Sequence, residues 1–397
     1  MDLSSVLSDD APIRPSPTPV IISLTPTLPR LSSITSAVSA PTRNTSGTAS
    51  GSASASSTEF FPLLHAYGGV GGHNNAQPPQ QKRVRLGSMP AFGSAAAANW
   101  PAVCKIAESA SASASKQQVW LIFGATGKIG SQMCRSVLER GDAVVACSRN
   151  IQTKVTVPVE WADRLFTVDC DIRSRAMVKE AVDKTLQRWN RVDVVLDAVS
   201  TGVIAPCEEQ EEHDVREQFE TNVVGLFHII QTTLPYMRMR NFGRYIVVSG
   251  IAGMLGVPGM GPFSATKWAV EGMIETLSYE IEQFGCKATL VYPGSVETPE
   301  ETATNRSPAW RHFVIKPMSH EYEGTPAEHA RRMILWLTAH RETGIAKIGE
   351  IIWELAQCRN PPLRLLLGSE TVETMRERLR QNVEEVEDWK FVFTEEE

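Results

Sequence analysis

From Val119 to Gly130 the chain reads as five apolar residues, Val119 to Phe123, followed by a turn with glycine at positions 124, 127 and 130. No other feature restricts the fold so tightly. A short, unbroken apolar run that ends at a glycine is the pattern of a strand buried on both faces. The residues after it, Ile129 to Glu139, recur at helical spacing. A buried strand that turns through glycines into a helix lets backbone N–H groups come close to a pyrophosphate, with the helix dipole favouring its charge.

The same rhythm continues downstream. Ala143 to Cys147, Asp193 to Asp197, Arg244 to Val248 and Ala288 to Tyr292 read as further strands, with helical patterns over 175–189, 214–234 and 265–284 between them. Strands alternating with helices at this interval predict an α/β fold: a doubly wound parallel sheet of the Rossmann type, in one domain over residues 116–393. Residues 1–115 differ. Ser/Ala/Thr/Gly-rich runs such as Thr45 to Thr58 and Ser109 to Ser115 cannot bury enough surface to offset the ordering of their backbone. They predict a long disordered N-terminal arm, through which a protein partner could be held. Inside it, Lys82-Arg83-Val84-Arg85 reads either as a solvated basic patch or as a short nuclear-import signal. At the other end, Val372, Met375, Leu379, Val383 and Val386 have the spacing of an amphipathic helix, docked on the body or on a second subunit.

A net charge of −6 argues against direct nucleic-acid binding, and the lack of any run of eighteen apolar residues argues against a membrane span. Asp2, Asp9 and Asp10 fit neither a secretory signal nor a mitochondrial presequence. Seven cysteines, without a C-x-x-C, suggest free thiols in a reducing compartment, cytoplasmic or nuclear. His213, His228 and His329 have no partner spacing that suggests a metal.

Gly124, Gly127, Lys128, Ile129 and Gly130 form the expected dinucleotide cradle. The second strand ends Cys147-Ser148-Arg149, with no carboxylate to hold a ribose 2′-hydroxyl and a guanidinium that can pair with a 2′-phosphate. Lys128 adds a second cation, so NADP(H) is the expected cofactor. Together these residues resemble the short-chain dehydrogenase/reductase family over about 117–393. The resemblance implies further roles: Asp171 as the acid at the adenine amino group, Asn222 as organiser of a proton-relay water, and Lys267 in Ser264-Ala265-Thr266-Lys267 as the catalytic lysine, which also bridges the ribose hydroxyls. It also implies that Pro293, Gly294, Val296 and Thr298 contact the nicotinamide carboxamide, and that a substrate lid over about 299–325 carries Trp310 and Phe313. Pro361 through Gly368 to Trp389 resembles the C-terminal closure of one branch of the family. A dimer or tetramer through 214–234 and 265–284 is implied in the same way.

Three departures stand beside these matches. The glycine spacing is that of the family's extended members, and the usual Asn-Asn-Ala-Gly reads Asp197-Ala198-Val199-Ser200. The third concerns the chemistry. The family's mechanism needs a tyrosine four residues before the lysine, whose charge lowers the phenol pKa from about 10, and a serine thirteen residues before that tyrosine. Here Phe263 and Gly250 hold those positions, and Ser249, a substitute polariser at best, lies one place early, which on a strand end means the opposite face. The tyrosines are at 67, 236, 245, 279, 292 and 322, and none has lysine four residues later. Loss of a general acid costs about 10²- to 10⁴-fold in rate, and loss of an oxyanion contact costs roughly another 3 kcal/mol.

Two functions stay open on the sequence. One is a diverged NADP(H) oxidoreductase acting on a small carbonyl or alcohol, with Lys267, Asn222 and Ser249 as its remaining catalytic groups. The other is a pseudoenzyme, with no small-molecule substrate, whose NADP(H) pocket serves regulation or scaffolding. Both need the same nucleotide selectivity. Arg149→Ala is expected to weaken NADP(H) far more than NAD(H) in titration calorimetry, and equal losses would remove the 2′-phosphate assignment.

Overall fold

The computed structural model describes residues 117–149, 151, 158–294, 296–297, 312–337 and 343–392. The N-terminal arm with Lys82–Arg85, and Thr298, Trp310 and the 299–311 part of the expected lid, lie outside the described residues. In chain order the strands are β1 (Val119–Phe123), β2 (Ala143–Ser148), β3 (Leu165–Asp169), β4 (Val194–Asp197), β5 (Gly202–Ile204), β6 (Gly243–Val248), β7 (Cys286–Tyr292), β8 (Val296–Glu297), β9 (Phe313–Ile315), β10 (Thr343–Gly344) and β11 (Arg364–Leu366). The helices are α1 (Lys128–Glu139), α2 (Arg175–Trp189), α3 (Glu212–Phe219), α4 (Gly225–Arg240), α5 (Gly261–Ile281), α6 (Pro326–Leu337), α7 (Ile345–Gln357) and α8 (Ser369–Trp389).

Seven strands form one sheet in the order β11-β7-β6-β4-β1-β2-β3, every pair parallel. Its strands lack apolar–polar alternation because both faces are covered. Leu121, Phe123, Val145, Val195 and Tyr245 pack beneath Val178 and Val182 of α2, Leu226 and Ile229 of α4, and Val270 and Ile274 of α5. Their neighbours Trp120, Ile122, Val144, Leu196 and Ile246 face the other way, against Met133 and Val137 of α1 and Ile348 and Ile352 of α7. The sheet grows from β1 through β2 to β3, then returns to add β4 on the other side of β1. This reversal opens a crevice at the carboxyl ends of β1 and β4, the place where open α/β sheets bind ligands. β5 pairs with β9, and β8 with β10, as two small parallel additions near those ends. No helix among the described residues is long and apolar enough to cross a membrane.

Several elements differ from the sequence reading. β3 was not anticipated, since Leu165, Phe166 and Thr167 are only half-buried and the strand ends in Asp169. α6, α7 and β11 are also additional, and β11 turns the segment after Pro361 into an edge strand beside β7. The 214–234 pattern is two helices, α3 and α4, joined by a wide π turn at Glu220–Val224 that contains Asn222. In α8 only the first turns dock: Thr371 and Thr374 are buried and Met375 packs on the core. Leu379, Val383 and Val386 are 56, 62 and 67% exposed, so that part of the expected apolar stripe faces solvent.

Under the opposite, amino-terminal edge of the sheet, Asp193 is fully buried. Its carboxylate accepts from the Val119 N–H (2.9 Å), from Arg191 Nε and Nη2 (2.6 and 2.8 Å) and from Arg240 Nη1 (3.0 Å). It thereby ties the start of β1 to the end of α4. Removal of one partner of such a buried set strands the others. Asp193→Ala is expected to lower the unfolding free energy by about 3 kcal/mol; a urea-midpoint shift equivalent to less than about 1 kcal/mol would show that water replaces the carboxylate.

Candidate functional site

The crevice is built first from backbone. Gly124 has φ +79°, a conformation that L side chains rarely adopt, and its N–H and that of Ala125 both donate to the Cys147 carbonyl, at 2.9 and 3.1 Å. Gly127 caps α1 and donates to the Gly124 carbonyl at 2.9 Å. A Cβ at Gly130 would stand 2.1 Å from that same carbonyl oxygen. The three glycines therefore let the first turn of α1 press on the end of β1, with Lys128 as its first residue and Ile129 packed on the core. Thr126 Oγ1 and Ser148 Oγ, 2.7 Å apart, lace this turn to the end of β2.

Arg149 follows as an exposed turn residue. Across from it, beyond β3, stands Asp171, whose carboxyl is held below the usual range mainly by hydrogen bonds from Arg173. Arg173 grips it through Nε (3.0 Å to each oxygen) and Nη2 (2.6 Å), and the sequence reading had not singled out that arginine. On the other side, Gly294 (φ +63°) follows Pro293 at the end of β7, where a Cβ would meet Thr371 Oγ1 at 2.7 Å and the Leu367 carbonyl at 2.9 Å. Val296 begins β8.

Between these flanks lies the position that chemistry would use. Lys267, on α5, is buried; its Nζ donates to the Val248 carbonyl at 3.2 Å and lies 5.7 Å from the centre of the Phe263 ring. Burial pushes its ammonium down to about 8, opposed by the carboxylates of Asp197 and Glu271. Asp197, buried at the end of β4, is pushed up to about 6 by the same desolvation, with the Val199 N–H and Lys267 pulling it back. Asn222 is spent on structure: Oδ1 accepts from the Thr201 N–H (2.9 Å), and Nδ2 donates to the Thr201 carbonyl (2.8 Å) and to Thr266 Oγ1 (2.9 Å). It pins the loop after β4 to the π turn and to α5.

Ser249 does not open on the cleft. Its hydroxyl donates to Glu271 Oε1 at 2.9 Å, within a buried cluster that Arg364 joins at 3.3 Å. Gly250, by contrast, borders open space: no atom lies within 4 Å of where its Cβ would be. Beside it the Phe263 ring meets Phe313 edge to face, centres 4.8 Å apart, over Gly202, which has no side chain to keep them away. Ile204, Ala252 and Met260 complete this apolar cluster, with Ile315 and Met318 against it. Phe313 is held there because β9 pairs with β5 and Lys316 bonds to Asp214 and Glu211. His213 faces Glu217 at the surface and His228 Nδ1 bonds the Ile172 carbonyl at 3.0 Å; the described residues hold no cluster of metal-ligand side chains.

These residues fit a dinucleotide. The glycine cradle would be filled by any Cβ, and Ser200 Oγ, just past β4, is enclosed without a hydrogen-bond partner among the described residues. Lys267 likewise has two N–H groups beyond the one bound to Val248.

Several known proteins are similar to this chain. The model of the family described as short chain dehydrogenase matches residues 118–309. An oxidoreductase of Botryotinia fuckeliana is 28% identical over 258 residues, which is 64% of this chain and 90% of that protein. A 3-ketodihydrosphingosine reductase of Bacteroides thetaiotaomicron is 28% identical over 253 residues, 63% and 88% of the two chains. The crystal structure of a short-chain dehydrogenase from Streptomyces avermitilis superposes with a TM-score of 0.63 at 25% identity, covering 70% of this chain and 98% of its own.

The buried ammonium has a consequence for stability. A lysine whose pKa is lower folded than unfolded disfavours folding while it is charged, and the penalty fades as pH rises from about 8 toward 10.5. Lys267→Met is therefore expected to stabilise the protein at pH 7, on the order of 2–3 kcal/mol, with the gain shrinking above pH 8. A gain in unfolding midpoint that does not change with pH would refute this origin.

Proposed function

The chain belongs to the short-chain dehydrogenase family, and from this we propose that it holds NADP(H) in the crevice with its own proton-transfer chemistry crippled, so that carbonyl reduction is slow or atypical. The observation that carries this reading is Phe263. Where the family resemblance expects a phenol four residues before Lys267, a benzene ring packs against Phe313, and the nearby hydroxyl of Ser249 is committed to Glu271. The glycine turn would take the pyrophosphate, with Lys128 close by and Arg149 on the 2′-phosphate. Asp171 stands toward the adenine, and Lys267 toward the ribose beside the nicotinamide. Ile129, Pro293, Gly294, Val296 and Thr298 complete the proposed contacts. A bound NADPH would supply hydride; the residues of this chain would orient it and exclude water, and none of those described at position 263 or 250 can give the proton.

Positioning alone accounts for much of hydride transfer, so a substrate that needs little acid assistance could still turn over. A second reading, a regulatory or scaffolding protein that senses NADP(H), is favoured by the apolar cluster that closes over Gly202. Self-association belongs to either reading: α4 and α5 turn Phe227, Met239, Trp268 and Tyr279 to solvent, 47 to 79% exposed.

Phe263→Tyr combined with Gly250→Ser separates the two readings. Expected is NADPH binding by both proteins, with oxidation across a carbonyl panel at least ~10²-fold faster in the double variant. Robust turnover by the unaltered protein would overturn the crippled-centre reading. Lack of turnover by both, with binding intact, would favour the sensor.

A further inference from the structure

Helix α8 runs on past the body that holds its start. Its first turns dock through Thr371, Thr374 and Met375. Beyond them Leu379, Val383, Val386 and Trp389 recur at helical spacing and are all exposed, with Trp389 stacked on Phe391 at 6.0 Å between ring centres. The free stripe adjoins the docked face, since Leu379 stands one turn after Met375. Three turns of helix with nothing packed on their apolar side are marginal in water. A contiguous row of exposed apolar side chains marks a surface that another surface covers.

The charges of α8 select its occupant. Arg376 pairs with Glu373, Arg380 with Glu377 and Glu384, and Lys390 with Glu387. Arg378 and Glu385 lie two turns apart along one edge of the stripe and enter no ion pair among the described residues. Arg378 Nε is also enclosed without a hydrogen-bond partner there. The free stretch is polarised along its length. Arg376, Arg378 and Arg380 flank its start, while Glu384, Glu385, Glu387 and Asp388 crowd its end, beside the negative pole of the helix dipole and with no cation in the last turn.

We propose that α8 of a second copy covers the stripe, the two helices running antiparallel about a two-fold axis. Val372, Met375, Leu379, Asn382, Val386 and Trp389 have the three-and-four spacing of a coiled-coil seam. With Leu379 of one copy across from Asn382 of the other, Val386 lies across from Met375. In this register Arg378 of each copy stands beside Glu385 of the other, so the two charges without partners satisfy each other twice. Each carboxylate-rich end also lies along the arginines of the other helix. A parallel pair would set the two carboxylate-rich ends together. Seven carboxylates against three arginines in α8 disfavour an anionic lipid surface as the occupant. A seam of about six side chains per copy falls below roughly 1,200 Å², so the pairing is reversible and concentration-dependent. It is separate from any contact through α4 and α5 and does not depend on a bound nucleotide.

Sedimentation velocity of the full-length protein over a range of concentrations tests this. Expected is a reversible association step that Leu379→Glu combined with Val386→Glu weakens at least ~30-fold. The unfolding midpoint at dilution, where both proteins are dissociated, should not change. Arg378→Glu alone sets like charges together twice, as does Glu385→Arg alone, and each should self-associate less than the unaltered protein. Mixed, these two variants should pair with each other in preference to themselves, because both contacts then unite opposite charges. Native mass spectrometry reads the mixed species. Trp268→Glu on α5 should leave that preference intact. A protein that stays monomeric, an association step insensitive to the Leu379 and Val386 changes, or a random mixture of the two charge variants overturns the proposal. So does cosedimentation with phosphatidylcholine–phosphatidylserine vesicles that Leu379→Glu with Val386→Glu abolishes, which would give the stripe to a lipid surface.

Discussion

The first turn of α1 rests on the carbonyl of Gly124, and everything the crevice can do depends on that contact. A Cβ at Gly130 would stand 2.1 Å from the carbonyl oxygen, closer than any real side chain can lie. Only with that atom missing can the amino end of α1 be pressed against the end of β1. Only then do its free N–H groups point at one place. Gly124 contributes a left-handed backbone and Gly127 the cap, so the three positions act as one device. The remaining parts of the crevice, from Arg149 to Gly294, take their places relative to it because their strands are hydrogen-bonded neighbours in a single parallel sheet.

Much of this was legible without coordinates. Runs such as Val119 to Phe123 and Val194 to Leu196 are apolar throughout, so a two-faced burial was the simplest reading, and the glycine turn marked where the chain had to reverse. β3 escaped notice because an outer strand of the sheet keeps only part of itself from water. α7 escaped because its partner, α1, lies more than two hundred residues earlier, and a helical pattern alone does not say which face is covered. The candidate site was legible where a residue type is its own signal: Lys267, and the phenylalanine at 263. It was not legible where a side chain is assigned its task by a distant neighbour. Arg173 takes hold of Asp171, Glu271 takes the hydroxyl of Ser249, and Phe313 arrives beside Phe263 through a strand pairing across more than a hundred residues.

The apolar setting of Lys267 also redistributes charge. Lys267 stays buried beside a phenylalanine, which can neither share nor receive a proton, and its nearest electrostatic relief comes from Asp197 and Glu271. Asp197 stands where the family resemblance expects an asparagine. That carboxyl and the ammonium are each displaced toward neutrality by the same desolvation.

The outermost strand on one side of the sheet, β11, is drawn from residues 364–366 and lies parallel to β7. A ribosome releases those residues after every other strand of the seven-stranded sheet. Until then the growing polypeptide must keep β7, the apolar Ala288 to Tyr292 stretch included, with one flank unzipped. Parallel sheets assembled from such distant segments close slowly, and an open apolar flank invites pairing with another nascent copy. Closure of this sheet therefore waits for the strand that comes last in chain order, three residues long.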